Sequence, residues 1–139
     1  MLITIRPYQE KDCEYVIALW RACGLVMPQN DPQADIQYKI SFQPDLFLVG
    51  LDKDGHLLAT VMAGYDGHRG WINYLAVSPT IRRQGIGGQM MAVAEERLRA
   101  LGCPKINLQV RRHNRDVIAF YRRLGFTEDN VLSFGKRLS

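Results

Sequence analysis

The chain has 139 residues, of which 47% are hydrophobic, and its formal net charge is +4. This length suits one compact domain over residues 1–139, and no second domain is expected. No apolar stretch approaches the roughly 20 residues that a membrane-spanning helix needs, and the first dozen residues lack a signal-peptide core. The widely spaced Cys13, Cys23 and Cys103 argue against a disulfide framework and a zinc knuckle. We therefore predict a soluble, cytoplasmic protein without a membrane partner or a bound metal.

The two halves of the chain differ in charge. Residues 1–69 contain six Lys and Arg against nine Asp and Glu, a net charge of −3, whereas residues 70–139 contain twelve against five, a net charge of +7. A concentration of positive charge favours an anionic partner. The second half is therefore the expected place for such a partner to bind.

The first half predicts one strand, two helices and a three-stranded meander. Apolar residues recur at helical spacing up to Gly24, a residue suited to a helix end, and Asp54-Gly55 is a strong hairpin signal between two apolar runs. The predicted elements are a strand at 2–6, helices at 12–23 and 34–42, and strands at 46–51, 57–65 and 71–77.

The second half alternates helices and strands. A long amphipathic helix ends at Gly102 and Pro104, and a shorter one ends at Gly125. The predicted elements are a helix at 85–101, a strand at 105–110, a helix at 115–124, and late strands at 126–127 and 131–138. The complete order is β-α-α-β-β-β-α-β-α-β-β, an α/β fold with a mixed, mostly antiparallel sheet flanked by helices.

A glycine-rich motif, RRQGIGG, spans residues 82–88 between a strand and a helix. The first turn of a helix has unpaired N–H donors and the positive end of the helix dipole, and glycines let phosphate oxygens approach those donors. The motif is neither a Walker A loop, which needs Gly-Lys-Ser/Thr, nor a dinucleotide fingerprint, because position 90 is Met. Taken alone, it fits a phosphate cradle and close helix–sheet packing equally well.

A second motif covers residues 114–126. Asn114 suits a helix N-cap, and Tyr121 shares a helix stripe with apolar residues. Tyr121 is therefore either a core residue or, if its hydroxyl reaches a cleft, a proton donor to a departing thiolate.

The two motifs together resemble the GCN5-related N-acetyltransferase (GNAT) family, in particular its small single-domain bacterial members. The shared pattern is a strand, R-x-x-G-x-G, a helix, a strand, and then N-x-x-x-x-x-x-Y-x-x-x-G-F, and it covers nearly the whole chain. The resemblance implies an enzyme of the acyl-CoA N-acyltransferase fold. It also implies direct transfer of an acetyl group from acetyl-CoA, the co-substrate, to a primary amine of a small molecule or a peptide N-terminus.

The resemblance also assigns roles to individual residues. Tyr121 would be the general acid for the CoA thiolate. Backbone groups of the strand end would pair with the pantetheine arm, those of the glycine-rich motif would hold the pyrophosphate, and one asparagine would bind the arm from the other side. These donor-binding positions are Leu75, Ala76, Val77, Arg82, Arg83, Gln84, Gly85, Ile86, Gly87, Gly88 and Asn114.

The proton acceptor has no clear candidate in the sequence. Many relatives place a glutamate on the fourth strand or its neighbour, but residues 71–77 and 106–110 contain no carboxylate. Asp66 and His68, in the turn YDGHRG, are candidates for binding the amine or relaying its proton, and Asp31 lies in a loop that walls the acceptor site in the family. Each also fits a purely structural turn.

Two other functions remain open at this point. The missing strand carboxylate fits a CoA-binding regulatory module that has lost transfer activity. Nucleic-acid binding is weaker, because the arginines lie at donor-binding positions and no stacking aromatic motif accompanies them. The sequence does not encode the acceptor amine, and the oligomeric state stays open, a homodimer through the late strands being one alternative.

Overall fold

The computed structural model describes residues 1–139, which form two compact units, Met1–Gln109 and Val110–Ser139. The first unit contains one sheet and three helices. The second contains one helix followed by a segment without regular structure. No helix is both long enough and apolar enough to cross a membrane, and all three cysteines are free thiols.

The sheet of the first unit has five strands in sequential order. Strands β1 to β4 are antiparallel neighbours, whereas β5 runs parallel to β4. The predicted Asp-Gly hairpin forms between β2 and β3, where Gly55 has a positive φ of 86°. The strands are β1 (Thr4–Pro7), β2 (Phe47–Leu51), β3 (Leu57–Tyr65), β4 (Gly70–Val77) and β5 (Ile106–Leu108).

Four helices form where the sequence predicts them. They are α1 (Cys13–Ala22), α2 (Pro32–Ile40), α3 (Ile86–Ala100) and α4 (Arg115–Arg123). Helix α2 starts two residues before its predicted start, because the Asp31 carboxylate accepts hydrogen bonds from the N–H groups of Gln33 and Ala34, and Pro32 suits the first helical position.

Helices α1 and α3 pack on opposite faces of the sheet. Successive residues of a strand point to opposite faces; on β3, Thr60 bonds to Trp20 of α1, whereas Ala59 lies on the side of Met90 of α3. Trp20 and Met90 are completely buried. The arrangement is a helix–sheet–helix sandwich, and it confirms the predicted fold class.

The two late strands are not formed, which corrects the predicted element order. No strand follows Leu108, and the apolar side chains of the last nine residues are exposed, from 77% at Val131 to 92% at Leu138. A strand needs a neighbour that pairs its backbone N–H and C=O groups, and an alternating sequence pattern cannot supply that neighbour. Strand β5 is also shorter than its predicted span of 105–110.

Candidate active site

The sheet opens between β4 and β5. Strand β5 pairs only with Gly70, Trp71 and Ile72, at the beginning of β4. The later residues of β4 pair with β3 on their other side but have no partner on β5. Because β5 does not cover this part of β4, an extended ligand can pair there as an added strand. The predicted pantetheine-binding residues Leu75, Ala76 and Val77 lie on this part of β4.

A β-bulge interrupts β4 at the opening. Thr60 pairs with Ala76 and Met62 pairs with Asn73, so two residues of β4 oppose one residue of β3. One of the two, Tyr74, has a positive φ of 51°, which is unusual for a tyrosine. Bulges redirect backbone groups next to ligand sites, and this one changes the direction of β4 where its pairing with β5 ends.

Helix α1 holds the bulge in place. The hydroxyl of Thr60 donates to the carbonyl oxygen of Tyr74 at 2.9 Å and accepts from the indole N–H of Trp20 at 2.9 Å. The Trp20 and Tyr74 rings are stacked, with their centroids 3.7 Å apart. Sequence reasoning missed this network, because nothing in the local pattern relates residues 20, 60 and 74.

The Thr60→Val variant should lower the free energy of unfolding by about 1–3 kcal/mol, the cost of leaving the buried indole N–H of Trp20 without its acceptor, whereas the half-buried carbonyl of Tyr74 should add less. Valine has nearly the shape of threonine, so packing is preserved. Urea unfolding measures the effect, with Thr4→Val at the exposed start of β1 as the control. Equal losses in both variants would contradict a specific role for the Thr60 hydroxyl.

The glycine-rich motif forms the loop that leads into α3. Arg83 and Gly85 have positive φ values of 66° and 77°, and Gly85 is the N-cap residue. Unlike α2, helix α3 has neither a side-chain cap nor an acidic residue in its first turn. The first N–H groups of a helix lack intrahelical acceptors; here they belong to Ile86, Gly87 and Gly88. A Cβ on Gly88 would meet no atom within 4 Å, so the space beside Gly88 is open.

Positive charge surrounds this helix start. Arg82, Arg83 and Gln84 are exposed. The terminal ammonium of Met1 contacts the backbone oxygen of Gln84 at 3.4 Å. Uncapped N–H donors, a helix dipole and two arginines make the loop suited to an anionic group.

In the second unit, α4 carries the two other predicted donor-site residues. Asn114 is the N-cap residue of α4, but its side chain makes no capping hydrogen bond and is exposed. Tyr121 is buried, and its ring makes edge-on contacts with Phe120 and Phe126 at centroid distances of 5.0 and 5.5 Å. Burial raises the pKa of Tyr121 to about 12. The phenol therefore keeps its proton at neutral pH.

Two of the three residues predicted to bind substrate accept structural hydrogen bonds through their side chains, and the third has an exposed side chain. Asp31 caps α2. Asp66 accepts from the N–H groups of Arg69 at 2.7 Å and His68 at 2.8 Å, and these bonds lower the pKa of Asp66. The His68 side chain is exposed in the same turn. The structure thus does not bring these three residues together at one site.

A different polar cluster lies beside the bulge. The Tyr74 hydroxyl donates to Asp35 of α2 at 2.5 Å and accepts from the Asn30 amide at 3.0 Å. Burial and the bond to Asp35 raise the pKa of Tyr74 to about 12. The cluster joins the α1–α2 loop and α2 to β4. Its members are separated by up to 44 residues, so only the packing of α2 on the sheet reveals it.

The family model for the acetyltransferase (GNAT) family matches residues 11–126. The chain belongs to the GNAT family. It is 47% identical over 135 residues to an acetyltransferase of Sodalis glossinidius (strain morsitans), covering 96% of this chain and 94% of that protein. It is 45% identical over 134 residues to an acetyltransferase of Pectobacterium atrosepticum, with coverages of 96% and 94%. The protein is therefore an acetyltransferase.

A solved structure supports the same fold for this acetyltransferase. AAC(6')-Iy in complex with the bisubstrate analogue CoA-S-monomethyl-acetylneamine superposes with a TM-score of 0.80, at 18% identity and with 99% of each chain covered. That structure contains a CoA-derived ligand, and its likeness to this chain is one of fold.

The acetyltransferase has no carboxylate on the strands that border the opening. Neither β4 nor β5 contains Asp or Glu, as the sequence predicts. Asp35 contacts β4 nevertheless, through the hydroxyl of Tyr74. Helix α2 thus supplies the carboxylate that is hydrogen-bonded to a residue of the bulge.

Proposed function

We propose that this GNAT protein transfers an acetyl group from acetyl-CoA to a primary amine by direct attack in a ternary complex. The observation that carries the proposal is the unpaired end of β4, which leads through a short loop to the uncapped start of α3. An acyl-CoA needs both features, an edge for its extended arm and a set of N–H donors for its phosphates.

The residues present fit such a donor. The N–H groups of residues 86–88 have no intrahelical acceptor, and Gly87 and Gly88 are partly exposed. In our proposal, Leu75, Ala76 and Val77 pair with the pantetheine arm, and the loop from Arg82 to Gly88 holds the pyrophosphate. Asn114 contributes its free side-chain amide to the arm.

The bound donor would supply the acetyl group as a thioester, which is open to attack by an amine. Backbone N–H groups redirected by the bulge at Tyr74 polarise the carbonyl. Tyr121 is the general acid that donates its hydroxyl proton toward the departing sulfur. Its pKa of about 12 keeps it in the donor form throughout the neutral range.

The acceptor amine lies, in our proposal, against the cluster of Asn30, Asp35 and Tyr74. Asp35 accepts the hydrogen bond of the Tyr74 hydroxyl through one oxygen, Oδ2. Its carboxylate is half-buried, so it attracts a cationic amine more strongly than a fully solvated group would. This position also lets Asp35 accept the proton that the ammonium must lose before attack.

The direct test of the function is a thiol-release screen of diverse amines with acetyl-CoA, with mass spectrometry of the products. A product heavier than its amine by one acetyl group, formed at a rate that depends on the enzyme, is the expected result. Release of thiol without an acetylated amine would mean that the protein is a thioesterase.

The Asp35→Asn variant should lower kcat/KM for the amine about tenfold or more, since a hydrogen bond to a charged group is worth about 1.5–3 kcal/mol. The Kd of acetyl-CoA should not change, and steady-state kinetics with calorimetry check both values. Asp31→Asn is the matched control, because it makes the same charge change four residues away and Asn also caps helices. A larger effect at Asp31 would place the acceptor at the helix cap instead.

A further inference from the structure

A cavity of about 210 Å³ lies between the C-terminal end of α2 and strands β3 and β4. The side chains of Phe42, Met62 and Trp71 form its apolar walls, and Asn73 adds an amide. Phe42 is 59% exposed and Trp71 is 38% exposed, so the cavity is open to solvent. Asn73 directly precedes Tyr74, which places the cavity next to the proposed amine position.

The cavity contains a cation without a counter-ion, carried by a side chain that is mostly buried. Lys39 is only 9% exposed, and no acidic side chain pairs with it. Its Nζ lies 5.8 Å from the centroid of the Phe42 ring. The same atom lies 3.4 Å from the position that a Cβ on Gly64 would take. The ammonium therefore lies beside Gly64 of β3, at the cavity wall.

The carboxylate that lines the cavity does not compensate Lys39. Asp66 accepts from two backbone N–H groups of its own turn, at 2.7 and 2.8 Å, and from the indole of Trp71. An apolar environment disfavours the charged form of an amine, and burial of the side chain lowers the pKa of Lys39 to about 8. The cavity thus lacks a negatively charged group that would pair with Lys39.

Helix α2 presents opposite charges one turn apart. Residues at i and i+4 are neighbours on a helix, and an acidic residue N-terminal to a basic one favours an ion pair. Asp35 and Lys39 have this spacing but form no ion pair. Asp35 instead bonds to Tyr74, and Lys39 extends into the cavity. Asp35 and Lys39 are therefore available to a ligand that carries one positive and one negative group.

We propose that the cavity binds a carboxylate of the acceptor through Lys39, so that the acceptor carries both a primary amine and a carboxylate. The amine half of this proposal, that the acceptor is an amine, rests on the proposed acetyl transfer. The carboxylate half, that the acceptor also has a carboxylate, rests on the cavity. The apolar walls favour a hydrocarbon portion next to the carboxylate.

A binding experiment tests the carboxylate half without catalysis. Calorimetry compares 3-phenylpropionate with 3-phenylpropionamide, which have the same shape and no amine. The wild-type protein should bind the acid about tenfold more tightly or better. Lys39→Met, which is neutral and similar in length, should lose this preference, whereas Lys39→Arg should keep it. Equal binding of acid and amide, or binding of neither, would overturn the proposal.

Folding of the variants can be checked independently. Lys39→Met removes an uncompensated charge, so we expect it to fold, and a thermal unfolding curve compares it with the wild type. If Lys39→Met does not fold, the acid preference of Lys39→Arg and of the wild type decides the proposal, because both retain the cation.

An activity experiment then joins the two halves. The ratio of kcat/KM for phenylalanine to that for phenylalaninamide should be about tenfold lower in Lys39→Met than in the wild type. If no amine is acetylated, the proposed function fails while the binding experiment still decides the carboxylate site. An equal loss of kcat for both acceptors would make Lys39 a proton acceptor and overturn its role as a carboxylate ligand.

Discussion

Replacing Gly88 by glutamate should weaken acetyl-CoA binding by about a hundredfold or more, because two like charges about 4 Å apart repel by about 4 kcal/mol in a partly solvated site. Gly88 lies in the first turn of α3, where a side chain has free space around it. The new carboxylate would occupy the space proposed for the pyrophosphate. Calorimetry with acetyl-CoA measures the loss.

Gly88→Gln is the matched control, since glutamine has the size of glutamate without its charge. We expect it to bind more tightly than Gly88→Glu, and the difference between the two isolates the electrostatic part. An anion at a helix N-terminus stabilises the helix by about 0.3–1 kcal/mol. Gly88→Glu should therefore unfold no more easily than Gly88→Gln. Equal acetyl-CoA affinity in both variants would contradict an anion site at this helix start.

Replacing Tyr121 by phenylalanine should lower kcat by about ten- to a hundredfold, since it removes a hydrogen bond of about 1.5–3 kcal/mol to a charged group. The ring stays in its contacts with Phe120 and Phe126, so α4 should remain folded. The Kd of acetyl-CoA should stay close to the wild-type value, because the proposed hydrogen bond forms as the thiolate departs. Single-turnover kinetics with an accepted amine separate this step from binding.

Tyr15→Phe serves as its control, because Tyr15 is 66% exposed on α1 and should not affect turnover. The pKa of about 12 for Tyr121 also predicts that loss of its proton does not limit the rate near neutral pH. An unchanged kcat in Tyr121→Phe would make this residue part of the core, the other role that its sequence context allows.

Much of the fold follows from local sequence signals. Gly24, Asp54-Gly55 and Gly102 end or connect elements near the predicted positions, because each adopts a turn or a left-handed conformation that depends on few neighbours. The late strands fail for the opposite reason. The side chains of Phe134 and Leu138 fit a strand pattern, but a strand also needs a distant edge for pairing, and none is formed here.

The candidate donor site is similarly local. Residues 82–88 are consecutive, and their glycines determine both the loop conformation and the access to the helix N–H groups. The sequence of this motif indicates an acyl-CoA donor only together with the second motif at residues 114–126, because alone it fits close helix–sheet packing equally well. The proposed roles of Leu75, Ala76 and Val77 also depend on the tertiary structure, because their free edge depends on where β5 stops pairing with β4.

The sequence by itself determined the family and the order of the main elements, because these depend on short motifs and on hydrophobic period, and through the family resemblance it predicted the donor. Only the tertiary structure decided the acceptor side. Because α2 packs against the bulged strand, the side chains of Asn30, Asp35 and Tyr74 meet. The same packing covers most of the Lys39 side chain, which has no counter-ion. The carboxylates of Asp31 and Asp66, in contrast, accept hydrogen bonds from backbone N–H groups close to them in the sequence. Long-range packing sets these partners, and no local pattern in the sequence encodes them.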